Sequence, residues 1–155
     1  MRRLDLSISE NDLFVFEMRL EVMSSHLNKR GSLAEESILF LLQEARMRYL
    51  AEESMTETAL VDNVGFMISQ ATINYRTEAA YADELRIQIY ASRFAQKSRL
   101  FSFHYRIIRV SDNAVIADAA TQHEFYNYQT KRLAFAPSKF YWMIHRNLQL
   151  ITMAA

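Results

Sequence analysis

The chain has 155 residues, with 18 Lys+Arg and 18 Asp+Glu, so its formal net charge is zero. That length predicts one domain spanning residues 1–155, and the zero net charge argues against nucleic acid, because phosphate binding needs a basic surface. Cysteine is absent, which excludes disulfides, thiolate nucleophiles and cysteine-ligated metals.

The amino-terminal residues carry positive charge without a following apolar run, so we expect no signal peptide. No window approaches 18 continuous apolar residues, so we expect no spanning helix and no membrane partner. Both observations favour a cytoplasmic protein.

The first predicted element is a strand over residues 13–23, in which apolar and polar residues alternate with period two. A loop then leads to a predicted helix over residues 32–50. Ser32 and Glu35 have the spacing of a capping box at its start. Residues 38–42 are apolar without interruption, which predicts a helix buried on nearly all sides.

Almost everything after the helix predicts strand. Alternation and strand-forming residues indicate four long strands, at residues 64–76, 84–96, 100–110 and 115–128. A turn at residues 111–113 makes a hairpin of the middle pair. After Pro137, apolar residues at helical spacing predict a terminal amphipathic helix over residues 138–151; they are Tyr141, Ile144, Leu148 and Ile151.

This order of elements predicts the α+β class, with a long antiparallel sheet wrapped around one central buried helix, which is the hotdog arrangement. The core would occupy about residues 13–136, and the terminal helix would be an addition. The strand at residues 64–76 is apolar enough to lie at a subunit interface. A bare sheet edge is normally covered, so we expect at least a homodimer.

Three motifs carry a resemblance to a known family. The first is the loop and helix from His26 to Arg46, with a glycine at position 31 and Glu-Ala-Arg at its end. The others are Asp83-Glu84-Leu85 and the run 120–128 followed by Thr130-Lys131 and Pro137. In order and spacing the chain resembles the hotdog-fold acyl-CoA thioesterases of the 4-hydroxybenzoyl-CoA thioesterase type, over roughly residues 13–136.

The resemblance implies hydrolysis of an acyl-CoA or acyl-carrier thioester at a dimer-interface site, in a homodimer or homotetramer, without cofactor or metal. One departure concerns the catalytic residue. Three positions before the glycine, the best-known branch has an aspartate that activates water or attacks the thioester, whereas this chain has Asn28. The histidine common after the glycine is replaced by Ser32. The fold can therefore be inherited without the usual catalytic group.

Asn28 and Glu36 are the candidate catalytic residues. Asn28 cannot act as a base but can orient water, and Glu36 is the nearest unassigned acid. Backbone N–H groups near residues 31–34 would polarise the thioester carbonyl at the positive end of the helix dipole. The candidate substrate-binding residues are His26, Gly31, Ser32, Leu33, Gly65 and Phe66.

Structural roles compete with these assignments. Glu36 would stabilise the helix dipole, Ser32 would cap the helix, and Glu44 would pair with Arg46 or Arg48. His104 and His123 could face each other across neighbouring strands, but no metal-ligand spacing is evident. Four basic residues near strand ends would hold coenzyme A phosphates or be ordinary solvated charges; they are Arg76, Arg93, Lys97 and Arg99.

Two other functions fit the same fold. Because of Asn28, the protein could be a non-catalytic acyl- or CoA-binding protein. Dehydratase or acyl-transfer chemistry is a third hypothesis, and the absence of a dehydratase-type histidine and acid pair argues mildly against it.

Overall fold

The computed structural model describes residue 6 and residues 8–154, with side chains described as far as Arg146. Six strands and two α-helices follow one another in the chain. They are β1 (Asp12–Glu21), α1 (Glu35–Ala51), β2 (Val64–Tyr75), β3 (Glu84–Ser92), β4 (Leu100–Arg109), β5 (Val115–Asn127), β6 (Arg132–Leu133) and α2 (Ser138–Ala154), with a 3₁₀ turn at Ser24–His26 before α1.

One antiparallel sheet contains all the strands. Its order is β1-β3-β4-β5-β2, and the two-residue strand β6 pairs with the end of β5. Alternation places Leu85, Ile87 and Ile89 of β3 on the buried face, while the residues between them lie on the outer face. The predicted hotdog architecture is confirmed. The bounds of the five predicted strands differ by at most two residues except at β3, which ends at Ser92 instead of residue 96, and the two-residue strand β6 was not predicted.

Helix α1 packs on the buried face of the sheet, against β1 and β3. Ile38, Leu42 and Ala45 are fully buried there, whereas Phe40 is 68% exposed. The prediction of a helix buried on nearly all sides is wrong for the single chain. Successive residues turn by about 100° around a helix, so an unbroken apolar run must place some side chains on the side away from the sheet. The large exposed apolar side chains on that side are Leu39, Phe40 and Met47.

The predicted capping box is also wrong. The helix begins at Glu35, its N-cap is Ala34, and no side chain caps it. Ser32 lies three residues before the first helical residue, in an extended segment bridged to Ala80. Its N–H donates to Asn28 Oδ1 at 3.1 Å. The loop therefore uses Asn28 to order residues that the spacing assigned to a helix start.

Helix α2 begins directly after Pro137, as predicted. Phe140, Met143 and Ile144 are buried and close one end of the core. Of the predicted helix face, Ile144 is buried and Tyr141 is half-buried, whereas Leu148 and Ile151 lie outside the described side chains. In the part of the chain that the structure describes, no helix is long and apolar enough to cross a membrane.

A chain of polar groups crosses the core beneath α1. Arg46 Nε donates to Glu57 Oε1 at 2.6 Å, and Arg46 Nη1 donates to Tyr105 Oη at 3.2 Å. Tyr105 Oη lies 2.7 Å from Thr121 Oγ1, which lies 2.6 Å from His123 Nε2. Arginine can only donate, so Tyr105 Oη accepts from Arg46, while either hydroxyl can donate in the bond between Tyr105 and Thr121. His123 Nε2 shares the last hydrogen bond of this chain of groups with the threonine hydroxyl.

His123 ends this chain as a neutral imidazole. Burial, and then the charge of Arg46, hold its pKa well below the ordinary value. The ring stacks on Phe101 with centroids 4.5 Å apart. His104 pairs with Ala120 on the other face of the sheet, so the prediction that the two histidines could face each other is wrong.

Candidate functional site

The loop before α1 is organised by the side chain of Asn28. Its Oδ1 accepts the N–H groups of Arg30 at 2.9 Å and Ser32 at 3.1 Å. Its backbone carbonyl accepts the N–H of Gly31 at 3.1 Å. Gly31 has φ +81°, a conformation that glycine adopts without steric cost. The amide Nδ2 of Asn28 has no acceptor among the described residues, so it is the part of this side chain that can contact a water or a substrate.

The free backbone donors lie one turn later than the sequence predicts. Gly31 and Ser32 donate within the loop, and Leu33 and Ala34 donate to backbone carbonyls at 2.8 and 2.9 Å. The prediction that the N–H groups of residues 31–34 are available to a substrate is therefore wrong. The first two helical N–H groups, of Glu35 and Glu36, have no acceptor among the described residues, because no preceding turn of helix can supply one.

A small depression of about 120 Å³ lies beside the loop, lined by Asn28, Ser32, Leu33 and Glu35 and closed by Tyr75 from β2. Tyr75 Oη donates to the carbonyl oxygen of Leu33 at 2.7 Å. Burial raises the pKa of the Tyr75 phenol, which keeps its proton and this hydrogen bond. Sequence reasoning missed Tyr75, since a residue 42 positions away carries no local signal.

A larger groove of about 790 Å³ runs along the outward side of α1 and contains His26. His26 Nδ1 accepts the N–H of Met23 at 3.0 Å. Glu44 also lines the groove and pairs with Arg48 at 2.8 Å, which confirms the predicted ion pair. Arg46, the other predicted partner of Glu44, faces the core instead.

The remaining predicted site residues lie apart from these two depressions. Glu36 is exposed on the first turn of α1 and lines neither of them. Gly65 and Phe66 lie at the start of β2, whereas the end of the same strand reaches Leu33. A Cβ on Gly65 would lie 2.2 Å from the carbonyl oxygen of Glu57, and Phe66 is 2% exposed. The single chain therefore does not bring these residues to the loop.

The arrangement can polarise a carbonyl but is chemically incomplete. Two free N–H groups at the positive end of a helix can stabilise a developing oxyanion. The loop before α1, residues 24–34, contains no aspartate or glutamate that could activate a water beside them. Among all the residues that the structure describes, no cluster of His, Asp and Glu side chains could hold a metal ion.

Comparison with known proteins gives the family. The sequence profile of the thioesterase-like superfamily matches residues 24–143, which is more than three quarters of the chain. No curated protein matched the sequence.

Three solved structures illustrate the likeness of the fold. Slr0204, a 1,4-dihydroxy-2-naphthoyl-CoA thioesterase from Synechocystis, is 18% identical, with a TM-score of 0.74 over 83% of this chain and 94% of that one. YbaW, a probable thioesterase from Escherichia coli, is 22% identical, with a TM-score of 0.67 over 85% and 95%. The DHNA-CoA thioesterase from Staphylococcus aureus is 10% identical, with a TM-score of 0.73 over 90% and 94%.

At these identities the structures establish the fold, and the profile match establishes the family. The sheet order, the single helix packed on its buried face and the match over residues 24–143 agree with each other. The chain belongs to the thioesterase-like superfamily and has the hotdog fold.

Proposed function

We propose that the protein hydrolyses an acyl-CoA or acyl-carrier thioester at a site completed by a second copy of the chain. The observation that carries this proposal is the pair of free N–H groups of Glu35 and Glu36 beside the Asn28 loop. They provide the electrostatic part of thioester hydrolysis, which is often its largest catalytic contribution. Membership of the thioesterase-like superfamily supports the reaction class.

Asn28 and Glu36 would position and activate the water that attacks the thioester. The free amide Nδ2 of Asn28 can donate to the substrate carbonyl or to a water, while Oδ1 stays engaged in the loop. Glu36 lies on the first turn of α1, one residue from the free N–H of Glu35, and its carboxylate is exposed to an incoming partner surface. It is the proposed general base.

Replacement of Asn28 by aspartate tests the loop. A carboxylate at this position can accept the same two N–H groups and adds a second basic group beside Glu36, so we expect hydrolysis to rise about tenfold or more. The measurement is thiol release from a panel of aliphatic and aromatic acyl-CoAs. Asn28→Ala is the control, because it loses both loop hydrogen bonds and should lower the melting temperature and the rate. If both variants match the wild-type rate on every substrate that turns over, Asn28 is not in the site.

The second copy is proposed from two uncovered surfaces. Strand β2 is an edge of the sheet, and Met67 and Ile68 on it are exposed. The outward side of α1 exposes Leu39, Phe40 and Met47. Long bare edges and apolar patches are normally covered, and antiparallel pairing of two β2 strands would extend the sheet and cover the edge.

Light scattering tests this assembly. We expect a dimer at micromolar concentration, and we expect Ile68→Lys to convert it to a monomer with little hydrolytic activity, since each site would be left half built. The control is Arg19→Glu, an exposed position on β1 at the opposite edge of the sheet, which should remain dimeric. A stably folded wild-type monomer would refute the dimer.

A non-catalytic acyl- or CoA-binding protein is the second candidate, and Asn28 in place of a carboxylate favours it. It predicts that the wild-type protein binds acyl-CoA in calorimetry without releasing thiol. Turnover by the wild-type protein would exclude this candidate.

A further inference from the structure

Although the net charge of the chain is zero, its positively charged side chains are unevenly distributed. In the described part of the chain, seven lysine and arginine side chains make no ion pair. One is Lys29 in the loop before α1. The other six are exposed and form what we call the basic end: Arg93, Lys97, Arg99, Lys131, Arg132 and Lys139. Residues 93–100 and 125–139, which contain all six, include no aspartate or glutamate.

The two segments of the basic end form one surface. The N–H of Ala136 donates to the carbonyl oxygen of Ser98 at 2.8 Å, and that of Phe125 donates to the carbonyl oxygen of Arg99 at 2.9 Å. The Arg99 guanidinium lies 4.8 Å from the centroid of the Phe135 ring. These contacts fix the β3–β4 loop against the segment between β5 and α2, so the positive charges are held together.

Large apolar side chains are exposed on the same surface. Leu100, Leu133 and Phe135 are 60%, 50% and 53% exposed. Arginine beside aromatic and aliphatic side chains is typical of a protein interface, where apolar groups supply contact area. The phosphates of a bound nucleotide would pair with the cations but would not cover the exposed leucines.

We propose that the basic end docks an acidic carrier protein that delivers the acyl group as a thioester. This proposal rests on the proposed hydrolysis. Of the two substrate classes proposed above, acyl-CoA and the acyl carrier, it selects the acyl carrier. Six positive charges that make no ion pair, with Glu124 as a carboxylate beside them, attract an acidic surface at long range, and the apolar side chains then complete a short-range contact.

The proposed dimer places this surface beside a catalytic loop. Strand β2 runs from the basic end, where Val64 pairs with Asn127, to the loop before α1, where Tyr75 bonds to Leu33. Antiparallel pairing of two β2 strands brings the start of one strand beside the end of the other. The basic end of one copy would then lie next to the Asn28 loop of its partner, within reach of a flexible thioester arm.

Kinetics with three substrates that share one acyl group test the proposal: an acyl carrier protein, acyl-CoA and acyl-pantetheine, which lacks nucleotide phosphates. Neutralising the basic end with K97Q/K131Q should raise KM for the acyl carrier by about fivefold or more and leave acyl-pantetheine unchanged. The effect should shrink as salt concentration rises. R19E is the control, because it lowers the net charge by the same two units on the β1 edge and should change no KM.

Binding of fluorescently labelled carrier protein, followed by anisotropy, gives a readout that does not need turnover. Binding that weakens in K97Q/K131Q but not in R19E supports docking even if no thioester is hydrolysed, in which case only the proposed hydrolysis fails. A raised KM for acyl-CoA alone would make the basic end a nucleotide site and overturn the proposal. Unchanged KM and binding would overturn it, and so would binding to phosphatidylserine vesicles without binding to the carrier.

Discussion

Replacing Glu57 by alanine is expected to lower the free energy of unfolding by about 3 kcal/mol. Arg46 is almost fully buried, with 5% of its side chain exposed, and Glu57 is the carboxylate that neutralises it, at 2.6 Å. Removing one partner of a buried pair leaves an uncompensated charge, which costs about 3–5 kcal/mol. The lower end applies here, because the Glu57 side chain is 24% exposed and water can reach part of the site.

Glu44→Ala on the same helix is the matched control. Glu44 and Arg48 are 2.8 Å apart, almost as close as the buried pair, but about half of each side chain is exposed. Exposed pairs four residues apart contribute only about 0.3–0.5 kcal/mol. Urea denaturation of both variants measures the difference, and equal losses would show that Arg46 does not depend on Glu57.

A double replacement separates the charge from the packing. Arg46→Met with Glu57→Ala removes both charges and fills the space with an apolar chain, so it should be more stable than Glu57→Ala alone. The tyrosine and threonine hydroxyls can still bond to each other after the loss of the arginine, since Tyr105 Oη lies 2.7 Å from Thr121 Oγ1. A double variant as unstable as the single one would contradict this account.

Glu36→Gln is expected to lower kcat by about 10² or more if Glu36 is the general base, because an amide cannot accept the proton from water. Glutamine has nearly the same size and helix propensity, so the melting temperature should change little. The substrate for this measurement is whichever thioester the wild-type protein hydrolyses fastest.

The competing role of Glu36 changes a different quantity. If this exposed carboxylate only stabilises the helix dipole, the same substitution should cost about 0.3–1 kcal/mol of stability and leave kcat alone. One variant therefore distinguishes the two roles when kcat and unfolding are both measured. A wild-type kcat would remove Glu36 from the catalytic residues.

The two helices, the five long strands and their order in the chain can be predicted from local sequence patterns, whereas the two-residue strand β6 cannot. Period-two alternation in β3 and β4 reflects a sheet with one buried face, so each strand carries its own signal. The order and spacing of three motifs together, the first of them the loop and helix from His26 to Arg46, carry the resemblance to the family. These features are local, because each depends on neighbours in the chain.

The hydrogen bond between the loop and β2 and the pairing of the buried charge depend on contacts between segments that are distant in the chain. The capping box failed because Asn28 folds the loop by contacts outside the helix, which leaves Glu35 as the first helical residue. Tyr75 and the Arg46–Glu57 pair depend on segments that the fold brings together. The basic end cannot be predicted from the net charge of zero. The net charge depends only on how many charged residues the chain has, whereas ion pairing depends on the distances between them.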